Sequence, residues 1–197
     1  VTDANDDAVG VQSSAEVKTT ISITEVNDLP VIAGLVNETY VENATGAGAK
    51  VIGANLTLTD VDDTNLAGAT VKISAGEFTS SAGGLGEDGD VLGFGSTAAT
   101  DNSGVDTWTF AAGAITVTRN AGGDELTLSG SATKAAYQAV LRAVTYESTS
   151  DNLTDQATGA GAAFQTREIT WQVTDANDDA VGVQSSAEVK TTISITE

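Results

Sequence analysis

Alternation of apolar and polar residues is the feature that most limits how this chain can fold. Stretches throughout the chain place Val, Ile, Leu or Trp at every second position, with Thr or another polar residue between them. This is the period of a half-buried antiparallel strand, which turns one face to a core and the other to water. The stretches are residues 17–24, 55–59, 70–74, 114–118, 125–129, 167–174 and 188–196.

Turn-forming residues separate these stretches. Glycine pairs occur at positions 83–84 and 122–123, and residues 86–89 read Gly-Glu-Asp-Gly. About ten short strands with such turns predict an all-β fold, an antiparallel β-sandwich. With 40% hydrophobic and only 5% aromatic residues, the core is expected to consist of Val, Ile, Leu and Ala.

One segment has a helical rather than a strand period. Its apolar residues fall at 132, 135, 136, 139, 140 and 143, which is the spacing of one face of a helix. The pattern predicts a single short helix over residues 132–143, with Ser129 or Ser131 as its N-cap. A strand around residues 144–146 is expected to follow it.

An internal repeat sets the domain organisation. Residues 1–25 recur letter for letter as residues 173–197, which indicates an array of near-identical units. A unit of roughly 170 residues has the size of a whole domain. We therefore expect residues 26–197 to form one complete repeat and residues 1–25 to be the last strands of an identical preceding repeat. Pro30, the only proline, suits a short stiff joint between them.

The charge is strongly acidic. There are 28 Asp and Glu against 8 Lys and Arg, a net charge of -20, and no His, Cys or Met. This balance argues against nucleic acid and against an anionic membrane surface as partners. It favours divalent cations where the acids cluster. The absence of His and Cys removes the commonest ligands of zinc and copper.

The acids do cluster, and each cluster falls where a predicted strand ends or in a loop. Asp28 follows the repeated strand, Glu42 lies in a Tyr-Val-Glu-Asn segment, and residues 60–63 read Asp-Val-Asp-Asp. Residues 175–179 read Asp-Ala-Asn-Asp-Asp. Ca²⁺ takes six to eight oxygen ligands from carboxylates, amides and carbonyls. The clusters therefore predict Ca²⁺ sites, although acids in turns also serve simply to solvate loops and cap backbone donors.

These motifs resemble those of cadherin-like and bacterial immunoglobulin-like tandem repeats found in giant, type I secreted adhesins of the RTX class. The Glu-Val-Asn-Asp-Leu segment at 25–29 is similar to the cadherin joint, the segment at 40–43 to the acidic motif that opens a repeat, and Asp60-Val-Asp62 to its D-x-D. Residues 137–146 and 166–175 also resemble such adhesin repeats. The joint differs from the cadherin pattern in Glu25 and Leu29.

The resemblance implies Ca²⁺ at the domain joint. The implied ligands, together with Asp63 of the same acidic run, are Glu25, Asn27 (through its carbonyl), Asp28, Glu42, Asp60, Asp62, Asp63 and Asp175. It further implies a spacer in an extracellular, cell-surface protein of the biofilm adhesin type, with neighbouring repeats as its partners and no nucleic acid, membrane or small-molecule substrate.

Two other functions compete with this interpretation. Glycosidase chemistry needs a carboxylate pair, for which Glu42, Glu147 or Asp151 are available, but a repeated unit suits scaffolding better than catalysis. A calcium-dependent glycan-binding module is the stronger alternative, because Trp108 and Trp171 are able to stack on sugar rings. The position of Trp171 in an alternating strand favours a core role instead. We expect no enzyme activity.

Overall fold

The computed structural model describes residues 1–2, 4, 10–41, 48–76, 89–101, 105–148, 165–178 and 180–196. Within these ranges the chain forms thirteen β-strands, one α-helix and a short 3-10 turn at Ala111–Gly113. The elements are β1 (Val31–Ala33), β2 (Glu38–Val41), β3 (Lys50–Val51), β4 (Thr57–Thr59), β5 (Asn65–Ala75), β6 (Asp90–Gly93), β7 (Thr100–Asp101), β8 (Asp106–Phe110), β9 (Ile115–Arg119), β10 (Glu125–Thr133), α1 (Lys134–Arg142), β11 (Thr145–Ser148), β12 (Thr166–Asp175) and β13 (Val189–Thr196).

The strands form one large sheet and two small ones. The large sheet has the order β2-β13-β12-β5-β10-β9-β8-β7, and the small sheets are β3-β11-β6 and β1-β4. A single core cluster joins side chains of all three sheets and of α1. The predicted all-β sandwich with one helix is therefore confirmed. The pairing is antiparallel in each described ladder except that of β13 with β2, which is parallel.

Alternate residues of β12 are buried, as the sequence predicts, and several of them belong to the core. Trp171 is 1% exposed, and its indole Nε1 donates to the hydroxyl of Thr191 on β13 at 3.0 Å. Burying a Val, Leu or Ile side chain contributes about 1.5–3 kcal/mol. The alternation of β12 is therefore itself a large source of stability, and Trp171 has the core role that its position predicts.

The helix begins later than its sequence pattern predicts. Thr133, rather than Ser129 or Ser131, is the N-cap, and its hydroxyl accepts the N–H of Ala136 at 3.2 Å. Residues 125–133 belong to β10 instead, because pairing with β5 and β9 satisfies their backbone. A register shift after Ser129 ends the regular ladder just before the helix.

The buried face of α1 agrees with the predicted one only in part, at Val140 and at the partly buried Ala136. Tyr137, Val140 and Leu141 are buried, whereas Ala135 and Ala139 are exposed. Alanine has little apolar surface to bury, so the larger side chains decide which face of the helix meets the sheet. The predicted strand after the helix is present as β11.

One alternating stretch forms no strand. Residues 17–24 are exposed and lie in no strand of the described chain, and earlier in the same segment Thr2 bridges Ser13. The same sequence at residues 189–196 is strand β13, between β12 and β2. A strand needs hydrogen-bonding neighbours, so the alternation pattern alone does not determine the outcome.

A buried ion pair connects the large sheet to the β3-β11-β6 sheet. Arg167 on β12 and Asp90 on β6 both have fully buried side chains, with Nε 2.5 Å from Oδ2. The hydroxyl of Tyr146 on β11 donates to the other carboxylate oxygen at 2.5 Å. Burial, together with the charge of Asp90, raises the pKa of Tyr146 above its ordinary range. The Asp90 carboxylate is thus bonded both to Arg167 of the large sheet and to Tyr146 of the β3-β11-β6 sheet.

Removing one charge of this pair is expected to destabilise the fold strongly. Asp90→Ala leaves the guanidinium of Arg167 buried without its counter-ion, which costs about 3–5 kcal/mol. Glu125→Ala is the control, because its pair with Lys72 is solvent-exposed and such pairs contribute about 0–1 kcal/mol. Urea denaturation measures both. Similar losses in the two variants would contradict a central role for Asp90.

The buried phenol of Tyr137 provides a second prediction. Its hydroxyl donates to the carbonyl of Gly130 at 2.6 Å, and burial raises its pKa from 10.0 to about 12. The folded state therefore holds this proton more tightly than the unfolded chain. The corresponding stability is fully present below pH 10 and is lost as the pH rises toward about 12.

Tyr137→Phe is expected to make stability less sensitive to alkaline pH. At neutral pH the variant loses the hydrogen bond to Gly130, at a cost of about 0.5–1.5 kcal/mol. Between pH 10 and about 12 its free energy of unfolding should fall less steeply than that of the parent chain, since one buried phenol no longer ionises. Denaturant titrations across this range measure the slope. Equal slopes of unfolding free energy against pH in the two chains would contradict a raised pKa of Tyr137.

Candidate metal centre

The acidic run after β4 folds into a tight loop that gathers its carboxylates. Oδ1 of Asp60 accepts the N–H of Asp62 at 3.3 Å and that of Asp63 at 3.1 Å. Oδ1 of Asp62 also accepts the N–H of Asp63, at 3.1 Å. Short acidic side chains favour such local turns. As a result, one oxygen from each of Asp60, Asp62 and Asp63 lies within 4.8 Å of the others.

The three carboxylates differ in environment. Asp63 is 1% exposed, Asp60 is half-buried, and Asp62 is the most accessible. Burial raises the pKa of Asp60, with the nearby Asp62 adding to the effect. The backbone N–H of Asp28 lowers the pKa of Asp62. The surroundings therefore stabilise the charged form of Asp62 and disfavour the charged form of Asp60.

The chain segment that enters the first strand of the sandwich is attached to this loop. The N–H of Asp28 donates to Oδ2 of Asp62 at 2.7 Å. The neighbouring Asn27 is 6% exposed, and its Nδ2 donates to Oδ2 of Asp175 at 3.0 Å. Its backbone carbonyl accepts Nε2 of Gln184 at 3.2 Å. Residues 27–28 therefore lie between the 60–63 loop and the loop that follows β12.

The loop after β12 completes this end of the domain. Asp175 is fully buried, and both of its carboxylate oxygens accept the N–H of Gln184, at 3.0 and 2.9 Å. Oδ2 of Asp178 accepts the N–H groups of Thr64 and Asn65 at 3.0 and 2.8 Å. The N–H of Asn65 is the main cause of the lowered pKa of Asp178.

Asp178 also contacts the acidic loop directly, because its N–H donates to Oδ1 of Asp63. Asp178 is absent from the ligand set that the sequence predicts. The acidic run at 175–179 was a signal for this region, but spacing alone does not show which of its members faces residues 60–65. Only the crossing of the two loops places Asp178 there.

Lys134 supports the acidic loop from its backbone side. Its Nζ donates to the main-chain carbonyl of Asp60 at 2.7 Å and also to that of Asp63. These two carbonyls are therefore held by the first residue of α1, and the helix is tied to the acidic loop.

The structure brings together most of the residues that the sequence predicts as Ca²⁺ ligands. Asp60, Asp62 and Asp63 form the cluster, Asp28 is hydrogen-bonded to it, and Asn27 links it to Asp175. Glu25 is exposed and has no hydrogen bond or ion pair to the cluster within the described ranges. Glu42 lies outside the described residues.

The donor atoms fit a hard cation. Two buried side-chain oxygens, Oδ2 of Asp60 and Oδ1 of Asn27, have no hydrogen-bond partner within the described part of the chain. A buried polar atom left unpaired is costly, and a cation bound by carboxylate oxygens would remove that cost for Asp60. The cluster of Asp60, Asp62 and Asp63 could therefore hold a metal ion.

Neither tryptophan offers an open face for stacking. Trp171 is 1% exposed and Trp108 is 5% exposed. The ring of Trp108 contacts Phe94 at a centroid distance of 5.3 Å and lies beneath the guanidinium of Arg119, also at 5.3 Å. Its Nε1 donates to the carbonyl of Thr97 at 2.9 Å. Stacking on a sugar would require these contacts to open.

No protein-family model, curated protein or solved structure matches this chain. In the described part of the chain, no α-helix has the length and apolar character needed to cross a membrane.

Asn27→Ala tests how firmly residues 27–28 are attached. The variant removes the donor that Asn27 gives to the buried carboxylate of Asp175, and a loss of about 1–3 kcal/mol in unfolding free energy is expected. Asn37→Ala is the control: its Oδ1 accepts the N–H of Thr192 at an exposed site, where water replaces the lost partner. Chemical denaturation in metal-free buffer compares them. Equal effects would show that burial of Asn27 contributes nothing.

Proposed function

We propose that this chain is a structural spacer module of a repeated, extracellular surface adhesin, stiffened by Ca²⁺ bound at the acidic end of the sandwich. The observation that carries the proposal is the hydrogen bond from the backbone N–H of Asp28 to the carboxylate of Asp62. It joins the segment that enters the domain to a carboxylate of the candidate metal centre. A cation bound there would act on the loop and on the entering chain together.

The electrostatics of the site favour a divalent cation. Three carboxylates converge, and the chain as a whole carries a net charge of -20. Ca²⁺ prefers carboxylate, amide and carbonyl oxygens, which are the donors this end of the domain provides. Asp60, Asp62 and Asp63 would hold the ion, which supplies positive charge where the carboxylates otherwise repel one another.

Stiffening follows from what residues 27–28 already contact. Without a cation, repulsion among the carboxylates weakens the loop to which Asp28 is bonded. With one bound, the loop, the entering segment and the Asp175–Gln184 contact are stabilised as a unit. In a chain of such domains, a fixed entering segment favours an extended rod over a flexible string.

The repeat supports a spacer rather than a binding tip. An identical segment at 1–25 and 173–197 indicates copies whose sequence is kept uniform, which suits a unit that serves by its length. Both tryptophans are buried, so neither offers the glycan-binding alternative an exposed ring face.

Thermal melts with Ca²⁺, Mg²⁺ and chelator test the proposal. Ligand at about 100 times its Kd stabilises a protein by about 2.7 kcal/mol, which for a domain of this size raises Tm by roughly 5–10 °C. We expect such a rise with millimolar Ca²⁺ and a smaller one with Mg²⁺, which demands stricter octahedral geometry. An unchanged Tm in all three buffers would overturn the proposal.

Asp60→Asn distinguishes a ligand from a residue that only shapes the loop. Asparagine keeps the oxygen that accepts the two backbone N–H groups and removes a half-buried negative charge. In chelator the variant should melt at or above the parent temperature, and in Ca²⁺ it should lose most of the calcium-dependent rise. Glu188→Gln, which removes one exposed charge just before β13, is expected to keep the full rise. Equal rises in both variants would exclude Asp60 as a ligand.

A further inference from the structure

Exposed apolar side chains gather at the acidic end of the domain. Leu29 and Val61 are 49% and 87% exposed, and Val181 and Val183, on the loop after β12, are 45% and 59% exposed. Among the described residues from 27 to 197, no other large hydrophobic side chain is as exposed as that of Val61. Apolar residues that are exposed together mark an interaction site, whereas single ones do not. We call these four residues the joint face.

One hydrogen bond brings the first two members of the joint face together. The N–H of Asp28 donates to Oδ2 of Asp62 at 2.7 Å. Leu29 follows Asp28 in the chain, and Val61 precedes Asp62. The bond therefore holds the segment that carries Leu29 against the loop that carries Val61, and both side chains lie at the same end of the sandwich.

The loop after β12 is attached to the same segment. The carbonyl of Gly182 accepts Nδ2 of Asn27, and Nε2 of Gln184 donates to the carbonyl of Asn27 at 3.2 Å. These two partners of Asn27 stand on either side of Val183 in the sequence. The joint face thus consists of three chain segments that meet at residues 27–28, and it surrounds the entry of the chain into the domain.

The last strand of the domain ends far from the joint face. Asn27 is bonded to Asp175 at one end of β12. Thr196, the last residue of β13, lies beyond the pair of Ser194 with Thr166 at the other end of β12. The nine residue steps of β12 span about 30 Å. Consecutive repeats therefore meet end to end, with the last strand of one beside the joint face of the next.

The repeated sequence fixes how close these two ends are. Residues 17–24 have the sequence of β13, so Thr24 is the counterpart of Thr196 in the preceding repeat. The three residue steps from Thr24 to Asn27 reach at most about 11 Å. Val41 pairs with Thr196 and is 47% exposed, so its copy in the preceding repeat lies at the same joint. The joint face and the end of the preceding repeat are therefore within reach of each other.

We propose that the joint face is a docking surface for the β2–β13 end of the preceding repeat, a second copy of this domain, and that Val41 of that copy takes part in the apolar contact. A tether this short keeps the two surfaces at a millimolar effective concentration, so a small apolar contact suffices. Such a contact limits the relative motion of two domains that a linker alone leaves free. Docking of this kind rests on the repeat array of the proposed function but not on Ca²⁺.

A chain of two repeats tests the docking. It consists of residues 26–197 twice in succession and so contains the 197-residue sequence in full. Each repeat carries Thr127→Cys, at an exposed position on β10, for a nitroxide label, and the sequence has no other cysteine. Pulsed electron paramagnetic resonance in millimolar Ca²⁺ measures the distribution of distances between the two labels. We expect a single narrow distribution.

Variants on both sides of the joint show whether apolar contact produces this order. Val61→Ser with Val183→Ser in the second repeat, or Val41→Ser in the first, should widen the distribution at least about twofold, since the linker then sets the motion. Val36→Ser in the second repeat is the control. Val36 is 45% exposed, but the residue after it is bonded to Thr192, midway along β13, and the parent width is expected.

The outcomes separate docking from ion binding. Val41→Ser leaves the 60–63 loop of the joint unaltered, so a wider distribution in this variant does not come from a lost ion. An unchanged Tm of the 197-residue chain in Ca²⁺, together with wider distributions in the joint variants, would reject the ion and retain the docking. A parent distribution as wide as those of the variants, a joint variant as narrow as the parent, or a control as wide as the joint variants would each overturn the docking.

Discussion

The backbone ladders on the two edges of β12 hold the sandwich together. One edge pairs with β5 and the other with β13, so the hydrogen-bonding groups of this strand are satisfied along most of its length. Its alternate residues include Arg167, Trp171 and Asp175, all of them buried. Arg167 binds Asp90 of the β3-β11-β6 sheet, Trp171 belongs to the hydrophobic core, and the Asp175 carboxylate accepts Nδ2 of Asn27 at the acidic end. Ion pair, core and candidate site are thus placed by a single strand.

The buried carboxylates at the two ends of β12 differ in how their charge is compensated. At one end the Asp90 carboxylate is fully buried, yet it is held by Arg167 and Tyr146. At the other, Asp175 is satisfied by protein donors, whereas one oxygen of Asp60 is buried without a donor in the described chain. The counter-ion of a buried carboxylate offsets its desolvation cost, and a buried carboxylate without one opposes folding unless a cation binds. This difference, rather than the number of acids, makes the 60–63 loop the candidate metal centre.

Much of the fold was predictable because alternation reports burial directly. The stretches at 70–74, 125–129 and 167–174 all lie in strands, since one face of each meets the core. The helix was predicted but its buried face only in part, because Ala135 and Ala139 count as apolar while burying little surface. At the site, the clustering of acids indicated the right region. The part played by Asp178 was not predictable, since it depends on two loops, distant in sequence, crossing at this end of the sandwich.

The repeated segment shows which features follow from local sequence and which depend on neighbouring strands. The sequence determined the backbone pairing at the start of the segment, because the N–H of Ser14 donates to the carbonyl of Val1 and that of Ser186 to the carbonyl of Val173, both at 2.8 Å. It also determined which faces are apolar. Whether those faces become a strand was decided by the tertiary structure: residues 189–196 have β12 and β2 beside them, and residues 17–24 have neither. The physical reason is that a strand's hydrogen bonds lie between segments rather than within one, so its stability depends on its neighbours.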